Sequence, residues 1–96
     1  MISKEMREAK YEEYCQDPYK VEKYQKPGIY CIKINDIIVY VGLSRNMLQR
    51  LADHTLEIMD GRNHKTNKYR VLYQAMIRED CKVSFDVLCS IAPGYG

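Results

Sequence analysis

Two tyrosines, an arginine and a histidine lie close together in the stretch PGIYCIKINDIIVYVGLSRNMLQRLADH, residues 27–54. Tyr30 and Tyr40 fall in two β-rich runs, and Arg50 and His54 are four residues apart, which is about one helical turn. A tyrosine hydroxyl can bind an attacking water or a phosphate oxygen, and it can act as a general base when ionised. An arginine can hold a phosphate with several donors, and a histidine can carry a proton. These residue types therefore suit phosphodiester chemistry.

A β-hairpin followed by a helix is predicted to position these four side chains. Residues 29–34 and 37–41 read as two strands, and residues 46–60 read as an amphipathic helix that Asn46 caps. The helical spacing predicts an inner apolar stripe at Met47, Leu48, Leu51, Ala52, Thr55, Ile58 and Met59. This stripe leaves Arg50 and His54 together on the opposite face, with Glu57 on the same flank.

The pairing within the hairpin decides whether the two tyrosines share one face of the sheet. A two-residue turn at 35–36 would pair Tyr30 with Val41, which places Tyr30 and Tyr40 on opposite faces. A shared site therefore requires a three-residue loop or a β-bulge. Because Asn-Asp is not the Asn-Gly pair typical of two-residue turns, an odd-length loop is a reasonable solution. We predict that such a loop is present.

Further elements complete the predicted fold. They are a helix over about 1–25 that Ser3 caps, a helix that Thr66 caps and that extends to about Glu79, and a strand over Lys82–Ser90. The first helix is expected to break at Asp17-Pro18, where Asp17 caps a second short helix with Pro18 at its first position. Their spacing predicts inward-facing residues at Met6, Ala9 and Tyr14, at Tyr69, Leu72, Tyr73, Met76 and Ile77, and at Val83, Phe85, Val87 and Cys89. The order of elements predicts an α+β fold, a small three-stranded antiparallel sheet flanked by helices. We expect a domain over 27–96 with an N-terminal helical arm over 1–26.

Composition limits the class of protein. The chain has 96 residues, of which 46% are hydrophobic and 29% charged, as in a small globular domain. Its four cysteines form no C-x-x-C pair, and no secretory signal precedes them, so we expect free thiols in the cytoplasm of a bacterium or of a phage-infected cell. Cys31 and Cys89 are expected to pack inside apolar strands. No apolar run approaches the ~20 residues that a membrane span needs.

A local basic excess accompanies the predicted site. Residues 45–70 carry six basic and three acidic side chains, although the net charge of the chain is only +2. Such a patch can hold phosphate, and an ordinary solvated surface is the alternative. The candidates for phosphate or nucleic-acid contact are Gly42, Arg45, His64, Lys65 and Lys68. A zinc site is not expected, because the spacing of the histidines and cysteines matches no short zinc motif.

Residues 28–30 (Gly-Ile-Tyr), residues 40–42 (Tyr-Val-Gly), Arg50 and His54 together resemble the GIY-YIG nuclease family. The resemblance covers about residues 27–90, and Val41 stands where the family motif has Ile. It implies DNA cleavage with one divalent metal, usually Mg²⁺. It also implies that Tyr30 acts as a general base or positions water, and that Tyr40 and Arg50 support the phosphate. His54 matches a histidine often found in the family, and His64 loosely matches another.

One family feature has no counterpart at the expected place. The resemblance implies a glutamate as the only protein ligand of the metal, on a helix after the third strand, but the six residues after Ser90 contain no acidic side chain. Glu57 and Glu79 lie elsewhere. An endonuclease using Mg²⁺ or Mn²⁺ would need a carboxylate from one of these, from a partner subunit or from a further C-terminal segment. The alternatives are an inactive module that binds nucleic acid, a nucleotide, a protein partner or a second copy, and a truncated product without its own function.

Overall fold

The computed structural model describes residues 2–60, 67–78 and 80–91. Within these residues the elements are α1 (Lys4–Cys15), α2 (Pro18–Tyr24), β1 (Gly28–Ile34), β2 (Ile37–Ser44), α3 (Met47–Met59), α4 (Asn67–Ile77) and β3 (Val83–Ser90). The strands form one antiparallel sheet in the order β2-β1-β3, and helices flank it. The predicted α+β fold is therefore confirmed. No described helix combines the length and the apolar character needed to cross a membrane.

Three predicted helix caps are present. The Ser3 side chain accepts a hydrogen bond from the backbone N–H of Met6 at 3.1 Å, at the start of α1. Asp17 caps α2, which has Pro18 as its first residue. Asn46 accepts hydrogen bonds from two backbone N–H groups in the first turn of α3. Because these side chains satisfy N–H groups that have no partner within the helix, they fix where each helix begins.

The turn of the β1–β2 hairpin contains two residues. Ile34 pairs with Ile37, and Asn35 and Asp36 have φ angles of 50° and 70°. Both residues adopt the left-handed conformation that a type I′ turn requires, and Asn and Asp tolerate it better than most residues. The expected odd-length loop is therefore wrong.

A β-bulge in β2 places the two tyrosines on one face. Tyr40 pairs with Ile32, and the next residue of β1 pairs with Ile38, so Val39 is the extra residue of the bulge. Tyr30 lies two residues before Ile32 and shares its face. The shared face is therefore obtained by a bulge, the alternative to the predicted loop.

The side of the sheet that carries Tyr30, here called the inner face, packs against the helices. One buried cluster contains Tyr24, Tyr30, Met47 and Leu48, and a second contains Ile32, Ile58 and Leu72. Leu72 and the partly buried Phe85 were expected in the core. Ala75, which is also buried, was missed.

Helix α1 makes polar contacts with α3, and its Tyr11, Tyr14 and Cys15 pack against the cluster that contains Met47 and Leu48. Arg7 Nη2 lies 2.6 Å from Glu57 Oε1, and the Tyr14 hydroxyl donates to Thr55 Oγ1 at 3.2 Å. The expected apolar positions Met6 and Ala9 are exposed, because α1 turns the face with Arg7 and Tyr14 toward α3. Of the predicted stripe of α1, only Tyr14 faces inward.

Helix α2 contributes to the core of the sheet. The buried Tyr24 packs edge-on against Phe85, with ring centroids 5.5 Å apart, and its hydroxyl donates to the Phe85 carbonyl at 3.2 Å. The division into an arm over 1–26 and a domain over 27–96 stays a prediction. Within the described residues, this arm is packed onto the domain.

Several predicted inward positions at the ends of elements are exposed. Met59 is the last residue of α3, and Met76 and Ile77 are the last two of α4. Cys89 is exposed because β3 also changes register, pairing Ile29 with Cys89 but the next residue of β1 with Val87. The four cysteines are free thiols, as expected, and Cys31 is buried.

Candidate active site

Tyr30 is the central residue of the candidate site. Its side chain is buried on the inner face, and its ring stacks on Phe85 with centroids 4.8 Å apart and planes at 13°. The Tyr30 hydroxyl makes a hydrogen bond of 2.8 Å with Nε2 of His54. Stacking and hydrogen bonding together fix the direction of the hydroxyl.

His54 is buried, which corrects the expectation that it lies opposite the core. Its side chain is only 1% exposed. Positions 47, 51, 54 and 58 form one face of α3, so His54 lies on the same stripe as Met47 and Ile58. A buried imidazole needs hydrogen-bond partners. Here Nε2 faces the Tyr30 hydroxyl, and Nδ1 lies 3.0 Å from the hydroxyl oxygen of Tyr69.

Tyr69, from α4, extends the site beyond the two signature tyrosines. It was expected to face inward, and its hydrogen bond to His54 places its hydroxyl at the site. Burial, together with the negative charge of Glu57, raises the pKa of Tyr69 to about 12. The phenol is therefore protonated at neutral pH.

Arg50 lies beside the Tyr30 hydroxyl at the outer end of this hydrogen-bonded chain. Burial raises the pKa of Tyr30, and the nearby guanidinium only partly offsets this effect, so the net pKa lies above the ordinary value. The same hydrogen bond with Tyr30 raises the pKa of Arg50. Tyr30 is thus a neutral phenol at pH 7, which favours positioning or proton transfer along a chain over action as a free phenolate. Arg50 also lies 3.6 Å from Asp53 Oδ2 and is partly exposed.

Tyr40 completes the group of residues that the sequence predicts. Its ring lies 6.2 Å from that of Tyr30 and edge-on to His54 at 5.5 Å. The side chain is half-buried. The structure therefore brings Tyr30, Tyr40, Arg50 and His54 into one cluster, while their catalytic roles stay predictions.

The two signature glycines leave space for neighbouring groups. A Cβ on Gly42 would overlap the Cζ and hydroxyl oxygen of Tyr30, because the ring lies across Gly42 on the paired strand. A Cβ on Gly28 would lie 2.5 Å from the carbonyl oxygen of Cys89 and 2.6 Å from Cε of Met47. Gly42 was predicted to bind phosphate, but its direct contact is with Tyr30.

Of the other predicted phosphate contacts, the structure describes only the side chain of Arg45. Arg45 is exposed in the turn between β2 and α3. His64 and Lys65 lie outside the described residues. Lys68 belongs to α4 by its backbone, but its side chain also lies outside the described part. Their roles stay predictions.

The carboxylates nearest to the cluster are paired with an arginine. Arg7 lies 2.6 Å from Glu57 Oε1 and 3.5 Å from Asp53 Oδ1. Glu79, the other acidic candidate for a metal ligand, lies outside the described residues. Sequence analysis missed Arg7, because a single polar side chain on a helix leaves no periodic signal.

The described residues do not fit a protein-held Mg²⁺ ion. Magnesium needs oxygen ligands, usually one or two carboxylates. In the described part of the chain, no three or more histidine, cysteine, aspartate or glutamate side chains form a group that could hold a metal. The two carboxylates at hand, Asp53 and Glu57, already pair with the guanidinium groups of Arg7 and Arg50.

An apolar pocket of about 230 Å³ lies next to His54, which is one of its lining residues. Its lining includes Leu51, Ile58, Met76 and Phe85. This lining does not suit a charged phosphate. The polar group formed by Tyr30, Tyr40 and Arg50 is therefore the better candidate for binding one.

Comparisons of the chain with models of protein families, with curated proteins and with solved structures found no match. The resemblance to GIY-YIG nucleases therefore depends on the motifs at residues 28–30 and 40–42 and on Arg50 and His54.

Proposed function

We propose that the tyrosine cluster binds a phosphodiester of DNA and hydrolyses it, as in a GIY-YIG-type endonuclease. One observation carries this proposal. A chain of hydrogen bonds runs from Tyr69 through the buried His54 to the Tyr30 hydroxyl, and it ends beside Arg50. A proton acceptor buried behind a hydroxyl, with a cation next to that hydroxyl, suits attack of water on a phosphate.

In the proposed reaction, Tyr30 moves a proton rather than ionising permanently. The attacking water donates a hydrogen bond to the Tyr30 oxygen, and the Tyr30 proton points toward His54 Nε2. As the new P–O bond forms, the water proton passes to Tyr30 and the Tyr30 proton passes to His54. This transfer requires the histidine tautomer that carries its hydrogen on Nδ1 and donates it to the Tyr69 oxygen. The bond to the leaving oxygen breaks, and that oxygen takes a proton from solvent.

Arg50 and Tyr40 have the supporting roles in this proposal. The Arg50 guanidinium donates to the non-bridging phosphate oxygens, whose negative charge increases in the transition state. The Tyr40 hydroxyl donates to the same phosphate. Arg45 contacts a neighbouring phosphate of the strand. The proposed metal, Mg²⁺ or Mn²⁺, follows from the family resemblance alone, so no step is assigned to it.

A second candidate function is phosphate binding without cleavage. It is favoured by the pairing of both nearby carboxylates with arginines, because Arg7 contacts Asp53 and Glu57, and Arg50 also contacts Asp53. The described site therefore has no carboxylate dedicated to a metal. The same cleft would then hold a nucleic acid through Arg50 and Tyr40 and release it unchanged.

The test is incubation of the purified chain with supercoiled plasmid and with single-stranded DNA, in Mg²⁺, in Mn²⁺ and in EDTA. We expect cleavage to fall at least about 100-fold in Tyr30→Phe and in Arg50→Ala, because each removes a group used in the transition state. Tyr19→Phe and Arg78→Ala change exposed residues of the same types away from the site and should cleave normally.

Binding measured on the same samples separates the two candidates. Fluorescence anisotropy with labelled DNA should show affinity that falls with salt and with Arg50→Ala. Binding of this kind without cleavage supports the second candidate and contradicts the first. A chain that neither cuts nor binds DNA contradicts both.

A further inference from the structure

The side of the sheet opposite the inner face, here called the outer face, is largely apolar. Pairing defines its residues, because directly paired residues share a face. Cys31, in the middle of β1, faces away from Tyr30 and pairs with Val41 on β2 and with Asp86 on β3. The described core clusters contain inner-face residues, so the packing of the helices does not account for this side.

Large aliphatic side chains on the outer face, and in the two bulges beside it, are strongly exposed. The exposed fractions are 46% for Ile38, 49% for Val39, 53% for Val41, 71% for Leu43 and 48% for Leu88. At these exposures the five side chains present roughly 400 Å² of apolar surface, which is within the range of the largest patches on monomeric proteins. Patches of that size often mark binding sites.

Two lysines and one aspartate lie at the β3 side of the outer face. Lys33 Nζ lies 3.4 Å from Asp86 Oδ2, and Lys23 reaches the other oxygen of Asp86 at 3.5 Å. Strand β2, whose sequence is IIVYVGLS, carries no charged residue. A nucleic acid needs an extended positive surface, whereas this one is largely apolar with an excess of only one positive charge at the side of β3. The occupant is therefore expected to be largely apolar.

A second copy of the chain fits these properties. We propose that two copies pack outer face to outer face across a two-fold axis, forming a four-layer homodimer with the two sheets inside. Identical twisted sheets pack face to face at about 10 Å with their strands about 30° apart. A standard interface buries about 800 Å² on each partner, and a little more than half of that is apolar. The outer face supplies roughly this apolar share.

This arrangement leaves the partly exposed members of the inner-face cluster, Tyr40 and Arg50, uncovered in each copy. Tyr30 and Val41 point to opposite sides of the sheet, so the interface does not cover the candidate active site. The inference is independent of the proposed function, and a failure of either leaves the other unaffected.

The test is the mass of the full chain in solution, by sedimentation velocity over a range of concentrations. We expect a species of twice the 11.3 kDa monomer. Val41→Glu should raise the dimer dissociation constant at least about 30-fold, because it places a charge in the centre of the interface. Val71→Glu is the matched control, because Val71 is 57% exposed on α4, and it should leave the dissociation constant unchanged. Circular dichroism melting checks that each variant is folded.

Two further variants locate the interface and replace Val41→Glu if that variant does not fold. Leu43→Glu changes another outer-face residue of β2, which is one edge strand of the sheet. Leu88→Glu changes a residue of β3, the strand at the opposite edge. Face-to-face packing predicts that both weaken the dimer. A wild-type chain that stays monomeric at high concentration overturns the proposal. So does a dimer that Leu43→Glu weakens and Leu88→Glu does not, because that result indicates pairing along the β2 edge instead.

Discussion

Substitution of Gly42 tests the close packing at the centre of the candidate site. In Gly42→Ala the new methyl group overlaps the Tyr30 ring, which cannot shift freely because it stacks on Phe85 and is hydrogen-bonded to His54. Overpacking of this kind costs about 1–3 kcal/mol. If Tyr30 rotates away instead, the hydrogen bond of the buried imidazole is lost, at about 1–3 kcal/mol.

Either outcome costs a similar amount, so we expect Gly42→Ala to lower the free energy of unfolding by about 2 kcal/mol, from a total of roughly 5–14 kcal/mol for a domain of this size. Urea unfolding followed by circular dichroism measures the change, with an unchanged m-value showing that the variant has a similar native state. The corresponding fall in Tm is about 10 °C.

A double-mutant cycle identifies the cause of the loss. Tyr30→Leu removes the atoms that a Cβ at position 42 would touch, so Gly42→Ala should cost at least about 1.5 kcal/mol less in that background. Gly28→Ala is the control, since its Cβ would meet Cys89 and Met47, and its cost should depend little on Tyr30. A cost below about 1 kcal/mol for Gly42→Ala, or equal costs in both backgrounds, would refute the reasoning.

Two other predictions concern the groups around the cluster. Arg7→Met should lower the free energy of unfolding by about 1–2 kcal/mol, because Asp53 and Glu57 lose their ion pairs with Arg7. The control Lys4→Met removes an exposed ion pair and should change the free energy of unfolding by less than about 0.5 kcal/mol. Equal urea midpoints for these two variants would contradict the prediction. Because the pKa of Tyr69 is raised to about 12, the folded chain keeps a proton that the unfolded chain releases above about pH 10. The stability that Tyr69 contributes is therefore complete below about pH 10 and is lost as the pH rises through about 12. Between these pH values the free energy of unfolding should therefore fall less in Tyr69→Phe than in wild type. In the control Tyr19→Phe it should fall as much as in wild type.

The parts of the fold that local chemistry determines could be predicted from the sequence. Ser3, Asp17 and Asn46 are residues whose short side chains cap helices, and each of them does so. The hairpin follows from two β-rich runs on either side of Asn35-Asp36. The order of these elements then brings Tyr30, Tyr40 and Arg50 near one another, although the shared face of the two tyrosines depends on the bulge.

The parts that depend on tertiary contacts could not be predicted in the same way. His54 was placed on the solvent side because it is polar, although positions 47, 51, 54 and 58 share one face of α3. It is buried because Tyr30 and Tyr69 satisfy both ring nitrogens, and those partners come from other elements. The contact of Arg7 with Glu57 is similar, since a polar helix face has no apolar period to reveal it.

The bulge at Val39 makes β2 tolerant of a change in length. On the turn side of the bulge Ile37 pairs with Ile34, and on the other side Tyr40 pairs with Ile32. A hairpin lacking Val39 would join these two registers without a gap, and Tyr40 would keep its partner. A one-residue deletion at this position therefore keeps Tyr30 and Tyr40 on the same face. A deletion between Tyr40 and Gly42 would instead turn either Tyr40 or Gly42 to the other face of the sheet. Among natural variants of this hairpin, gain or loss of a residue should thus be concentrated at the bulge.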